Sequence, residues 1–325
     1  MPIPDLVLIH GGSHAADCWD PVIGTLSRAA PGLRVLAVDL PGHRAKPGDL
    51  RTATIRDWVD SVVSDVDRAG LRRVVVAGHS MAGLIMPGVV SKLGATRVAE
   101  AVFVTTCVPP QGSDMAHVLG PPITQFVRMG ARFGMSLKLP AVATFMCCNG
   151  MTRAQRQFVK SRLYPESTAI IAETVSRRDM PEGISRTWVM TLRDRVFSEA
   201  KQRSSIDALG GVDRIYSIDT CHDAMVSEPE RLAEILLERC ATHSTRASCC
   251  LRKLDSSSSL CRALTFRRCN FESLCAPRSP AANGSTRCGR EHACATACPR
   301  TRHAIASTSM NWGPPRESAP RRPRR

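Results

Sequence analysis

The sequence predicts an α/β fold: a mostly parallel central sheet flanked by helices, with a helical lid insertion. Three observations predict it. Short runs rich in Val, Leu and Ile recur between stretches of helical periodicity. The runs are apolar throughout rather than alternating, the pattern of strands buried on both faces. The intervening helical stretches, at about ten to fifteen residues, are long enough for parallel crossovers.

Each element follows in order. DLVLIH, Asp5–His10, supplies a first strand that runs into Gly11-Gly12, and WDPVIGTLSRAA supplies a helix. LRVLAVDL, Leu33–Leu40, is a second strand, stopped by Pro41-Gly42. In TIRDWVDSVVSDVDRAG, Ile55, Trp58, Val59, Val62, Val63 and Val66 keep helical spacing. Thr54 with Asp57 three residues on forms a capping-box pattern, and Gly70 suits the C-terminal end. RRVVVAG and AEAVFVTT are two more strands, separated by a helix that begins after Ser80. Pro87 falls inside that helix and should kink it, because proline removes a backbone donor. Residues 109–185 are rich in Pro, Gly and Met, with helical pieces ITQFVRMGARFG and TRAQRQFVKSRL but no strand-like run. They are expected to form a lid over the carboxyl ends of the strands, the edge where open α/β sheets bind ligands. The Met and Phe residues there are expected mainly to bury the lid against the core. The sheet rhythm returns with RTWVMTL, Arg186–Leu192, and VDRIYSID, Val212–Asp219. EPERLAEILLERC closes the fold, with Pro229 in its first turn.

This assigns residues 1–240 to one domain and 241–325 to a tail. After residue 240 there are 16 Lys+Arg against 4 Asp+Glu, a net +12 of the formal +15, so the body is nearly neutral. A charge argument for a nucleic-acid partner therefore fails for the body. Eight of the 14 cysteines also lie after residue 240, and the six in the body show no framework spacing, which reads as reduced thiols. The tail, with SSSS and PPRESAPRRPRR, carries no helical or strand period and is expected to be disordered. Cys288, His292, Cys294 and Cys298 could be read as a metal site but lack a second paired motif. No signal peptide, membrane span or membrane partner is expected, which places the body in the cytoplasm.

The chemistry centres on VVVAGHSMAGL, Val74–Leu84, where a serine follows a buried strand. A serine hydroxyl needs a neighbouring base, and the base an orienting group. The Gly-x-Ser-x-Gly pattern is broken by Ala82, one methyl larger than glycine, with Gly83 one place late. The change is small enough for a strained strand–turn–helix elbow that exposes Ser80. The first strand ends in His10-Gly11-Gly12, an unobstructed loop whose Gly12 N–H, with that of Met81, would form an oxyanion hole. Of the nine histidines, His243, His292 and His303 lie in the tail, and of the rest only His222 follows the final strand and completes the chain order serine, acid, histidine. Asp194, just beyond a strand in WVMTLRDRVFS, is the acid; Asp179 precedes the strand, Asp207 lies in a helix, and Asp219 and Asp223 adjoin His222.

These motifs together, from LVLIHGGSHAADCW through VLAVDLPGH, VVVAGHSMAG and TLRDRVFS to CHDAMVSEPERLAEIL, resemble the α/β-hydrolase superfamily. The resemblance is to its small esterases, the branch of plant methylesterases, salicylate-binding esterases and hydroxynitrile lyases. It implies Ser80 as nucleophile, His222 as base and then acid, and Asp194 as its orienter, with no cofactor or metal. Three positions depart from the branch, Pro87 in the helix after Ser80 among them. Arg44 stands where glycine is common, and Asp223 stands where hydroxynitrile lyases carry lysine, which speaks against cyanohydrin cleavage. The expected reaction is hydrolysis of a small carboxylic ester or lactone through an acyl-enzyme. A non-catalytic small-molecule receptor, cofactor-free perhydrolysis and nucleic-acid binding by the tail are the alternatives.

Overall fold

A computed structural model describes residues 3–244. The expected tail and its Cys288, His292, Cys294 and Cys298 cluster lie outside the described residues. The strands are β1 (Asp5–Ile9), β2 (Val35–Val38), β3 (Val74–His79), β4 (Val98–Val104), β5 (Ser136–Leu137), β6 (Glu166–Ser167), β7 (Ser185–Thr191) and β8 (Arg214–Ile218). The helices begin with α1 (Asp20–Ala29), α2 (Ile55–Arg68), α3 (Met86–Leu93), α4 (Met115–Leu119), α5 (Ile123–Arg132) and α6 (Pro140–Cys147). They continue with α7 (Arg153–Ser161), α8 (Thr168–Ala172), α9 (Glu199–Ala208), α10 (Ala224–Ser227) and α11 (Pro229–Thr242).

Six strands form one sheet in the order β2-β1-β3-β4-β7-β8, and every neighbouring pair is parallel. The continuous apolar runs follow from the two-residue period of a strand placed between two helical layers. Leu6, Leu8, Val75, Ala77, Val102 and Val104 pack on one side with Trp19 just before α1, Val22 and Leu26 of α1, and Leu232, Ile235 and Leu236 of α11. Val7, Ile9, Val74, Val76, Ala101 and Phe103 face the other way, against Trp58 and Val62 of α2 and Met86 and Val89 of α3. The side chain of Thr54 accepts the Asp57 N–H and the Asp57 carboxylate accepts the Thr54 N–H, closing the capping box of α2. Gly70 follows with φ +63°.

Pro87 does not kink a helix interior. Ser80–Leu84 form a 3₁₀ turn, and α3 starts only at Met86, so Pro87 occupies its first turn. There a missing N–H costs nothing, because first-turn donors have no intrahelical partner. The segment between β4 and β7 carries α4–α8, and also β5 and β6, a short antiparallel pair that periodicity had not signalled. Two residues per strand are too few to produce an alternating pattern. At the C-terminal end α11 runs to Thr242, and Arg239 is buried against Glu100 of β4 at 2.9 Å. His243 reaches the same carboxylate at 2.6 Å, so ordered contacts extend a few residues past the expected boundary at 240.

Candidate active site

β2 lies on one side of β1 and β3 on the other, so the chain reverses its direction of sheet growth between β1 and β3. Crevices outside the carboxyl ends of strands at such a switch are where ligands bind in open α/β sheets. The loop Gly11-Gly12-Ser13 leaves β1 there, and Ser80 leaves β3 beside it.

Ser80 has φ +53°, a left-handed conformation that a non-glycine residue holds only where its surroundings enforce it. The enforcement is steric. A Cβ on Gly78 would meet Met86 Sδ at 2.4 Å and the Ala82 methyl at 2.9 Å. A Cβ on Gly83 would lie 2.3 Å from the Cys107 carbonyl oxygen. Ala82 fits because Gly78 leaves it the room, while Gly83 is the position that tolerates no side chain. On the facing loop a Cβ at Gly11 would lie 2.8 Å from Ser80 Cβ, whereas one at Gly12 would meet nothing closer than 3.5 Å. The two glycines of the loop are therefore not equivalent: Gly11 is required by the close approach of the elbow, and Gly12 is not.

The structure brings Ser80, His222 and Asp194 into one hydrogen-bonded line. His222 Nε2 lies 2.8 Å from Ser80 Oγ, and His222 Nδ1 lies 2.7 Å from Asp194 Oδ2. Asp194 is not a surface partner of Arg193 or Arg195; its side chain is fully buried. Oδ2 accepts from Thr105 Oγ1 at 2.6 Å and Thr191 Oγ1 at 2.9 Å. Oδ1 accepts from the N–H groups of Val196 at 2.7 Å and Phe197 at 2.8 Å. Burial by itself would raise this carboxyl, but His222 and these donors hold it well below the usual carboxylate range. An ionised Asp194 fixes the proton of His222 on Nδ1 and leaves the Nε2 lone pair facing the serine hydroxyl. That arrangement can accept a proton from Ser80 as its oxygen attacks a carbonyl.

Six further ionisable side chains surround the β1 loop, and sequence reasoning gave none of them a part in the chemistry. His10 Nε2 accepts the Leu40 N–H at 3.0 Å, so Nδ1 carries the proton and donates to the Gly11 carbonyl at 2.8 Å. Burial keeps this ring neutral by pushing its pKa well down. His14 donates from Nδ1 to the Gly12 carbonyl at 2.7 Å and from Nε2 to Asp223 Oδ2 at 3.2 Å. Burial opposes its charge, but the Asp223 carboxylate prevails and raises its pKa to about 9. Glu166 Oε2 accepts the Ser13 N–H at 2.7 Å and lies 3.3 Å from His43 Nε2. The Gly12–Ser13 peptide unit is thus held from both ends, its carbonyl by His14 and its N–H by Glu166. Ser13 itself sits at φ +59°. His79, kept neutral by burial at about 3, donates from Nε2 to the His222 carbonyl at 3.0 Å. The available signal was the cluster of histidines at the early strand ends; their partners Glu166 and Asp223 carried none.

His79, His222 and Asp223 also offer ligand atoms close enough together for a metal ion. His222 uses both ring nitrogens, on Ser80 and Asp194, so it has no lone pair left for an ion in this arrangement, whereas His79 Nδ1 and Asp223 Oδ1 have no hydrogen-bond partner.

Fold and site together define a hydrolase built on a parallel sheet with a serine elbow. The chain belongs to the alpha/beta hydrolase family, whose model matches residues 6–235. It is 26% identical over 261 residues to a probable esterase PIR7A of Oryza sativa, spanning 73% of this chain and 97% of the rice protein. It is 27% identical over 257 residues to a pyrethroid hydrolase of Sphingobium wenxiniae, spanning 73% and 88% respectively. Among solved structures, an extracellular alpha/beta-hydrolase from a Paenibacillus species, described as homologous to tobacco salicylic acid binding protein 2, superposes with a TM-score of 0.64. That likeness, at 19% identity over 73% of this chain and 98% of the other, shows the shared fold.

Proposed function

We propose that this protein hydrolyses a small carboxylic ester through an acyl-enzyme on Ser80. One observation carries the reading: the hydrogen-bonded line from Ser80 Oγ through His222 to a buried, ionised Asp194. The similarity to proteins named esterase and pyrethroid hydrolase supports the choice of an ester as substrate. In this mechanism Ser80 attacks the ester carbonyl while His222 Nε2 takes its proton. Asp194 stabilises the resulting imidazolium and keeps the ring oriented. The N–H groups of Gly12 and Met81 receive the negative charge that develops on the carbonyl oxygen; losing one such donor costs about 100- to 1000-fold in rate. His222 then protonates the departing alcohol and activates a water that releases the acid.

Steady-state hydrolysis of p-nitrophenyl acetate and butyrate by wild type and Ser80→Ala tests the reading. A fall in kcat of about 10⁴-fold or more is expected, with the fold unchanged by circular dichroism. A variant that turns over at the wild-type rate would refute it.

A further inference from the structure

The segment between β4 and β7 does not simply bury its large apolar side chains. Met115 and Met151 are buried, but Phe126, Met129, Phe133, Met135 and Phe145 are exposed, with Phe133 at 71% and Phe145 at 65%. Of the eleven large apolar residues exposed among the described residues, eight lie between Ile123 and Phe145. They form stripes. Phe126, Met129 and Phe133 recur at helical spacing along α5 and into the residue after it, while Val127 and Gly130 face inward. Leu139, Val142 and Phe145 do the same on α6, none of whose residues is buried. Thr144, Phe145 and Lys160 help to line an open groove of about 570 Å³ between α6 and α7, which none of the proposed site residues lines.

Charge is as uneven as hydrophobicity. Between Asp114 and Glu166 the sequence has seven Lys and Arg residues and no carboxylate. Arg132, Lys138, Arg153, Arg156 and Lys160 are exposed and form no ion pair among the described residues. Only Arg128, on Asp114, and Arg162, beside Asp17, are compensated.

We propose that the exposed apolar stripes of α5 and α6, with the unpaired cations beside them, dock on an anionic lipid bilayer. Exposed apolar stripes flanked by cations are what a helix lying in a bilayer interface presents: the stripe enters the acyl boundary and the cations meet the headgroups. No described helix is long and apolar enough to cross a membrane, but a surface helix needs no such length. A second copy of the chain is the poorer occupant. A two-fold interface would set this cationic surface against itself. The residues after 240, with 16 Lys+Arg against 4 Asp+Glu, share its sign rather than oppose it. The α6 stripe also adjoins the serine site: Arg195, next to Asp194, stacks on the Phe145 ring and donates to its carbonyl at 3.2 Å.

The test is co-sedimentation of the full-length protein with phosphatidylcholine vesicles, with and without phosphatidylglycerol. Two variants accompany it: Phe133→Ser with Phe145→Ser, and Arg132→Gln with Lys138→Gln and Lys160→Gln. All five side chains are exposed and outside the serine site, so hydrolysis of a soluble ester serves as the control for folding. Phosphatidylglycerol-dependent binding is expected, weakened by added salt and reduced about 100-fold in the triple variant, at about fivefold per charge. The double variant should also bind more weakly. The proposal is overturned if wild type does not sediment with phosphatidylglycerol vesicles, or if both variants sediment as wild type does, which would assign the binding to the basic residues after 240. It is equally overturned if the double variant abolishes a dimer and leaves vesicle binding unchanged.

Discussion

The His14–Asp223 pair should leave a signature in the pH dependence of stability. His14 is raised from 6.5 to about 9 in the folded protein, with Asp223 buried beside it. At about 1.4 kcal/mol per pKa unit, that difference amounts to about 3 kcal/mol. Because the folded pKa is the higher one, the folded chain holds the proton more tightly, and the contribution is complete below 6.5. Above that the unfolded chain releases its proton first, so stability declines as pH rises and the contribution is gone beyond about 9. Asp223→Asn removes the carboxylate but keeps an oxygen that can accept from Nε2, so the imidazole returns toward its ordinary titration. Urea unfolding followed by tryptophan fluorescence, from about pH 6 to about pH 9.5, reads the effect directly. The stability of wild type relative to the variant should fall by about 3 kcal/mol between about pH 6 and about pH 9.5. His43, raised by Glu166 against its burial, titrates in both proteins and cancels in the difference. Parallel curves would refute the assignment of a charged His14.

Two more outcomes follow from the β1 loop. Glu166→Ala deletes the acceptor of the Ser13 N–H and should lower kcat for p-nitrophenyl acetate about tenfold with little change in KM, while Glu166→Gln, which can still accept, should retain most of it. A rise in KM at constant kcat would instead assign Glu166 to substrate binding. Gly11→Ala places a methyl 2.8 Å from Ser80 Cβ and should destabilise the protein by about 1–3 kcal/mol and impair the elbow, whereas Gly12→Ala should be nearly neutral in thermal unfolding. Equal losses at the two positions would contradict the spacing of the loops.

What could be read in the sequence was what depends on local order. Buried strands announce themselves because both faces of β1, β3 and β4 are apolar, and Ser80, Asp194 and His222 stand out because each follows a strand in the required chain order. Ala82 could be judged by size alone. Contacts made only when the sheet closes had no such signal. His14 meets Asp223, 209 residues on, and His43 meets Glu166, 123 residues on. Pro87 was misjudged because the elbow inserts a 3₁₀ turn, which moves the helix start to Met86. The apolar spacing in α5 located a stripe, but periodicity cannot say whether a stripe faces the core or solvent.

The buried charges at this crevice are better understood as positioning devices than as sources of stability. Desolvating an ion pair offsets most of its attraction, so such pairs add little net stability on their own. Here each one joins loops from different strands. Asp194, after β7, holds Thr105, after β4, and His222, after β8. Asp223, after β8, holds His14, after β1. Glu166, in β6, holds Ser13, after β1, and His43, after β2. The loops after five of the six main strands are connected through three carboxylates. Each carboxylate has an imidazole beside it, so the charge of Glu166 close to Gly12 does not stand unopposed where an oxyanion would form. Substitutions within this network should therefore couple, since removing one partner leaves the other buried and unpaired. A double variant of His14 and Asp223 should cost less than the sum of its parts, because the second change removes the very charge that the first one stranded.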